Sequence, residues 1–465
     1  MGWRSVQHDP TIVIVNKSLC GSAAQAGPYF RLMRYQQCLM ALLCGSLLLG
    51  ACKKDTDTSG PHIEILAPSA GFVLQLPGQL AVSVRIHDDH IVESATISLL
   101  NGNGIPVAPS ATATPGSSMA VIDRTLTVTS ELLLSGEYTL VVRASDGTNE
   151  SQAFQPIQLI EVPLRLRAAF VITIPTPSTV RIQRIDSTGS ISDWAMLSQD
   201  FSNAAISSRD RRLLVAGGVS GPITALDAVT SSNAWQLPNT NGLGVPYFTA
   251  MAIGADDIAY SATNDDYIRG RRPMDGSQIF TAQTLTGFRA SLLHAHHNVL
   301  FTVQRETGSS LVTMQTYSLS SGVLLDGDLL DLEVVAMASR DADHVLVFGN
   351  RSGDGVIQDR HVTSGSVWEP IDFPGTPIQA MAPMTGDQYA LGFADGLRRY
   401  DFSTNSATPF GPAADASFVQ YDPVSGHCWV AGDGQVQVVD PGSGMVLSTY
   451  PVADPIQELL LLFNR

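Results

Sequence analysis

Three groups of side chains have the types and spacing for chemistry. In LLHAHHNVL, His294 and His296 alternate on an extended segment and share a face, where two imidazoles would suit a metal ion. No further ligand accompanies them, so a surface loop that also holds His297 is the expected setting. In His87-Asp88-Asp89-His90, imidazoles and carboxylates crowd four consecutive positions. Neighbours on an extended chain point to opposite faces, so the four would converge only around a bent loop, and a turn before the next strand is their expected role. The third group is distributed: Asp265, Asp266, Glu306, Asp354, Asp395 and Asp433 recur in short Gly- and Asn-rich connections between apolar segments. Two roles are open to it, a ligand-binding rim or ordinary turn chemistry.

No G-x-S-x-G, H-E-x-x-H, phosphate loop or Cys-x-x-Cys is present, so no catalytic residue, metal site or cofactor is assigned. A site assembled from residues scattered along the chain carries no contiguous motif, which leaves catalysis open. The net charge of -16 argues against nucleic acid as a partner. Cys20, Cys38, Cys44 and Cys52 precede the folded part, and Cys428 stands alone downstream of them, in the apolar run HCWVAG. It reads as a small core residue, and no disulfide framework is possible there.

The distributed carboxylates are carried by a repeat. Aligning Ile172, Ala216, Ser261, Thr302, Phe348, Gly392 and Ala431 gives steps of 44, 45, 41, 46, 44 and 39 residues. Each unit has an apolar segment, a turn, an alternating segment, a second turn and a further strand, as in GHCWVAGDGQVQVVDPGSGMVLSTY. That period predicts four-stranded β-propeller blades. A small-residue strand precedes six units (NAAIS, FTAMAI, RASLLH, VVAMAS, IQAMAP and SFVQYD), whereas the first unit lacks one and IQELLLLF at 456–463 is left over. The expectation is a seven-bladed ring over 163–465 in which the C-terminal strand completes the first blade. The hairpins with Asp186 and Trp194, or Asp227 and Trp235, resemble the repeats of quinoprotein-like and WD-repeat-like propellers. The resemblance implies the fold and not quinone chemistry.

Residues 61–162 alternate about seven short apolar segments with turns, which predicts a β-sandwich. PHIEILAPSAGFVLQLPG, VRIHDDHIVESATISLL and GEYTLVVRASDGTNES resemble bacterial immunoglobulin-like domains, without the Cys pair or buried Trp of antibodies.

At the N-terminus, MRYQQCLMALLCGSLLLGAC joins a basic start at Arg34 to an apolar run too short to span a bilayer, ending in small residues. Leu49-Gly50-Ala51-Cys52 resembles the lipobox of bacterial lipoproteins, which implies cleavage before Cys52 and acylation of its sulfur. Residues 33–51 are then the signal peptide, 52–60 a flexible tether, and 1–32 a disordered stretch upstream of the true start at Met33. The function expected is that of a cell-envelope lipoprotein, held to the outer membrane by its lipid. Its propeller would be a non-catalytic scaffold for an envelope protein or another ligand, and the alternative is an envelope enzyme acting on a glycan at the acidic rim. Mass spectrometry of the native protein is expected to yield no peptide from residues 1–32.

Overall fold

The computed structural model describes residues 57–465 apart from 241, 243 and 412–414. The start at Met33, the signal segment and Cys52 lie outside the described residues. The described chain is all-β, with thirty-six strands and no helix. No helix in it is long and apolar enough to cross a membrane.

Two sheets form the first part. Strands His62–Ala67, Gly78–Val92 and Ser117–Val128 make a three-stranded sheet. The other has five strands, in the order Phe72–Gln75, Glu150–Ile160, Gly136–Ser145, Ser94–Leu100 and Ala111–Ala113. Period-two alternation decides which side chains go in. Val82, Val84 and Ile86 are buried while Ala81 and Arg85 point to solvent, and the inward set meets Ile97, Leu99, Leu140 and Val142 in one shared core. His87–His90 does not form a turn between strands. It lies inside Gly78–Val92, where pairing with Ser117–Val128 jumps from His87–Met119 to Val92–Ser117. The surplus residues bulge out of the ladder, which is how consecutive polar side chains escape strict alternation.

The second part holds seven four-stranded antiparallel sheets. Sheet one combines Leu166–Thr176, Thr179–Asp186 and Ile191–Leu197 with the C-terminal strand Ile456–Phe463, which pairs with Leu166–Thr176. Sheets two to seven run in chain order over 203–237, 248–283, 288–330, 333–373, 380–410 and 418–451. The leading strand of each sheet touches that of the next. These contacts pass from Ile456–Phe463 through Asn203–Ser207, Phe248–Ile253, Phe288–His296, Glu333–Ser339, Ala380–Pro383 and Phe418–Asp422, and return to Ile456–Phe463. Close approach there explains the small residues Ala204, Ala250, Ala290, Ala338 and Ala382.

Every sheet packs on two others, so the second strands are covered on both faces and read as continuous apolar runs, RLLVA and HVLVFG among them. In sheet one the alternation divides neatly. Phe170 and Ile172 meet Leu213 and Val215 of sheet two, while Ala169 and Val171 meet Trp429, Ala431 and Val436 of sheet seven. Cys428 is fully buried and free, and burial pushes its thiol up to about 12.

The two parts meet through charge. Glu131 accepts from Arg165 at 2.8 Å, from Arg211 at 2.8 Å and from Arg167. Beside it, Arg465 binds Glu161 at 2.5 Å, and the Asn464 side chain accepts from the Arg165 amide at 2.9 Å. The C-terminus is therefore fastened at the point where the chain enters sheet one.

Leu459, Leu461 and Leu462 are at most 6 % exposed. At roughly 1.5–3 kcal/mol each, their burial is comparable with the whole stability of a domain. Deleting residues 456–465 is expected to lower the thermal midpoint globally, by more than about ten degrees; an unchanged calorimetric melting curve would refute this.

Candidate functional site

The connections between second and third strands lie with the lead-ins to the leading strands, and side chains tie the two together. Asp200, ahead of sheet two, accepts from the amides of Val219 (2.6 Å), Ser220 (3.1 Å) and Gly221 (2.7 Å). Burial opposes its charge, but these amides hold the carboxyl below its usual range. Asn350 makes a two-way bond with Ile378, donating to its carbonyl at 2.9 Å and accepting from its amide at 2.7 Å. Arg181 reaches Asp454 at 2.6 Å. Arg351 binds Glu369 through two nitrogens at 2.5 and 3.0 Å and Asp331 at 3.1 Å, which raises the guanidinium pKa and lowers that of Glu369.

The six carboxylates expected at this rim are distributed over sheets three to seven. Asp265 receives both terminal nitrogens of Arg269, at 3.1 and 2.8 Å, and the Thr263 hydroxyl. Burial raises its pKa, and the guanidinium more than compensates, so the group stays ionised. Asp354 accepts from the Gly375 amide at 2.6 Å, and Asp395 from Arg398 at 2.9 Å. Asp266 and Asp433 have φ of 66° and 44°, the left-handed region that Asp tolerates in tight turns. Glu306 is half-buried, and its amide donates to Leu311 at 2.9 Å across the turn. No hydrogen bond or ion pair joins any two of these six among the described residues. A cleft of about 400 Å³ opens between sheets four and five, lined by Arg305, Asp331, Glu333, Asn350 and Ser352.

The histidines lie at the other end of the strands. His294 and His296 belong to the strand Phe288–His296 and not to a loop; only His297, with φ of 47°, is in the turn. Both face Ser339, the last residue of the leading strand of sheet five. His296 Nε2 donates to the Ala342 carbonyl at 3.1 Å, which leaves Nδ1 to accept from the Ser339 hydroxyl at 2.8 Å. Ser339 in turn accepts from His294 Nε2 at 3.1 Å. The nitrogens that would face a common metal ion thus meet a serine instead, and the chain of bonds latches sheet four to sheet five. Burial, aided by the neighbouring His296, pushes His294 down to about 4, and burial also lowers His296. A pocket of about 480 Å³ beside them is lined by Asp256, His296, His297 and Ser339.

Glu458 is a perturbed acid that sequence reasoning missed. It lies opposite Ile172 on the C-terminal strand, and burial pushes its carboxyl up to about 7. The signal that could have found it is the single acid in the run IQELLLLF. Asp200 carries no such signal, because its partners are amides brought close only by the fold.

No protein-family model and no curated protein matches the chain. Among solved structures it is similar to the hydrazine synthase of Kuenenia stuttgartiensis, with 13% identity and a TM-score of 0.44 over 63% of this chain and 98% of that one. It is also similar to a quinoprotein alcohol dehydrogenase-like protein from Bacteroides thetaiotaomicron, with 14% identity and a TM-score of 0.46 over 88% of this chain and 100% of that one.

The fold holds His294 neutral, so its pKa lies below the ordinary 6.5. Below about pH 6.5 the unfolded chain binds a proton that the fold refuses. The stabilisation is complete above that pH and is lost as pH falls toward 4, by at most about 3 kcal/mol. His294→Gln is therefore expected to flatten the fall in thermal midpoint between about pH 6.5 and 4.5, measured against wild type; parallel curves would sink this.

Proposed function

We propose that the chain is a lipoprotein of a bacterial cell envelope, anchored in the outer membrane by acyl groups on Cys52. In this reading an immunoglobulin-like domain at 61–162 holds a seven-bladed β-propeller, 163–465, away from the bilayer. The C-terminal strand closes the propeller, and the propeller presents a binding or assembly surface to an envelope protein or another ligand. The lipobox at 49–52 supports the anchor. One lipid chain binds a bilayer only weakly, and the two or three of a lipoprotein make attachment durable. Seven sheets, each packed on two neighbours, support the propeller, because an open row would leave its end sheets uncovered.

The observation that carries the scaffold reading is the state of the rim. Asp265, Asp354 and Asp395 are each held within their own sheet, by Arg269, the Gly375 amide and Arg398, as fixed polar groups. Glycoside hydrolysis needs two carboxyl groups converging within about 5–10 Å on one sugar. A protein or polar ligand can instead be recognised by fixed groups on a preorganised surface.

Asp266→Asn with Asp433→Asn separates the roles, since Asn keeps the left-handed turn and removes the charge. The double variant is expected to fold as wild type and to lose a partner recovered from detergent-solubilised envelope with the intact protein. Cys52→Ser is expected to move the protein from the membrane to the soluble fraction. Recovery of no rim-dependent partner, together with turnover of a glycan panel, would replace the scaffold with the envelope-enzyme reading.

A further inference from the structure

At the end of the strands away from the rim, the leading strands of sheets four and five stop side by side. His296 closes Phe288–His296, and Ser339 closes Glu333–Ser339. The Ser339 hydroxyl donates to His296 Nδ1 at 2.8 Å, and His296 Nε2 donates to the Ala342 carbonyl at 3.1 Å. A nucleophile, a base and a group that fixes the tautomer of the base thus stand in one hydrogen-bonded line. His294 Nε2 donates to the same serine oxygen at 3.1 Å.

A serine bonded to a histidine also serves as a plain strut between strands, so exposure and access separate the two roles. Ser339 is exposed, whereas His296 is only 2% exposed. Both line the pocket of about 480 Å³, so the hydroxyl and its base are presented together to whatever enters. The one carboxylate on that wall, Asp256, is already occupied by the Tyr260 hydroxyl at 2.6 Å and the Ile258 amide at 3.2 Å, and does not draw His296 away from the serine. Burial lowers the pKa of His296; the Ala342 bond opposes this, His297 adds to it from 4.5 Å between ring centroids, and Asp341 and Asp343 oppose it. The net shift is downward, so the imidazole is neutral at pH 7 and Nδ1 can take a proton.

We propose that Ser339 is the nucleophile of an esterase site, with His296 as its general base, that cleaves neutral esters of short-chain carboxylic acids. Ser339 Oγ bonds to the ester carbonyl carbon while its proton passes to His296 Nδ1. The bond from that carbon to the alcohol oxygen then breaks, and Nδ1 returns the proton to the departing alcohol. Water, deprotonated by the same nitrogen, attacks the acylated serine and releases the carboxylic acid and the free hydroxyl. The His294 Nε2 hydrogen, already directed at Oγ, favours the negative charge that develops around it. No arginine or lysine lines the pocket, so an anionic substrate would find no counter-charge there, and Ala255 and Ala295 leave room for a small acyl group. The site depends on neither the rim nor the anchor.

The test treats the folded full chain with an alkyl fluorophosphonate and maps the adduct by peptide mass spectrometry, with hydrolysis of p-nitrophenyl acetate measured alongside. An adduct on Ser339 is expected in the folded protein and not in the heat-unfolded chain. Its rate of formation should fall as pH drops below 6.5 and His296 takes up a proton. Ser339→Ala, at an exposed position, should keep the fold and lower ester hydrolysis at least about a hundredfold, its residual rate measuring hydrolysis by other imidazoles. His296→Gln should slow both labelling and hydrolysis by a similar factor; should that variant fail to fold, Ser339→Ala and the pH course of labelling decide the matter. A serine that is only a strut would react no faster than other exposed serines and without that pH dependence. Absence of a Ser339 adduct in folded wild type, labelling unchanged in folded His296→Gln, or equal hydrolysis by wild type and Ser339→Ala would each overturn the proposal.

Discussion

The pairing of Ile456–Phe463 with Leu166–Thr176 is the constraint on which the second part of the molecule depends. Residues about 290 positions apart must find each other before sheet one has its fourth strand. Without that strand, Phe170 and Ile172 would still have sheet two, but the leading strands of sheets two and seven would lose their common neighbour. The entropy of closing so long a loop grows only slowly with length, so the burial of Leu459, Leu461 and Leu462 is ample to hold it.

The same region joins the two parts. Glu131 gathers Arg165, Arg167 and Arg211, and Arg465 and Asn464 tie the last residues to the chain entering sheet one. One carboxylate facing three guanidiniums is partly shielded from solvent, which strengthens each attraction relative to an exposed pair. A chain end so fastened cannot fray independently of the interface, and the packing of the first part and the integrity of sheet one are thereby coupled.

Elsewhere polar side chains are used to hold backbone in place. Asp200 collects three amides, Asn350 reads both groups of one peptide, and the His294–Ser339–His296 chain joins neighbouring sheets. These are groups that chemistry would also use, and their partners decide the difference.

Periodicity carried most of the architecture. Repeats of about 44 residues, small-residue leading strands and the unpaired run IQELLLLF pointed to four-stranded units and to the C-terminal strand joining the first, since burial on a sheet leaves a period of two or an apolar run in any single chain. The alternation through Val82, Val84 and Ile86 likewise showed which side faces inward. Sequence could place the rim carboxylates on equivalent connections, but not reveal that Asp265 meets Arg269 or that Asp354 caps Gly375. It set His294 and His296 on one face and could not supply Ser339, and it read His87–His90 as a turn where the strand bulges. Periodicity is a property of neighbours along the chain, whereas a site is a set of distances between segments that the sequence separates. Those distances exist only once the sheets have packed.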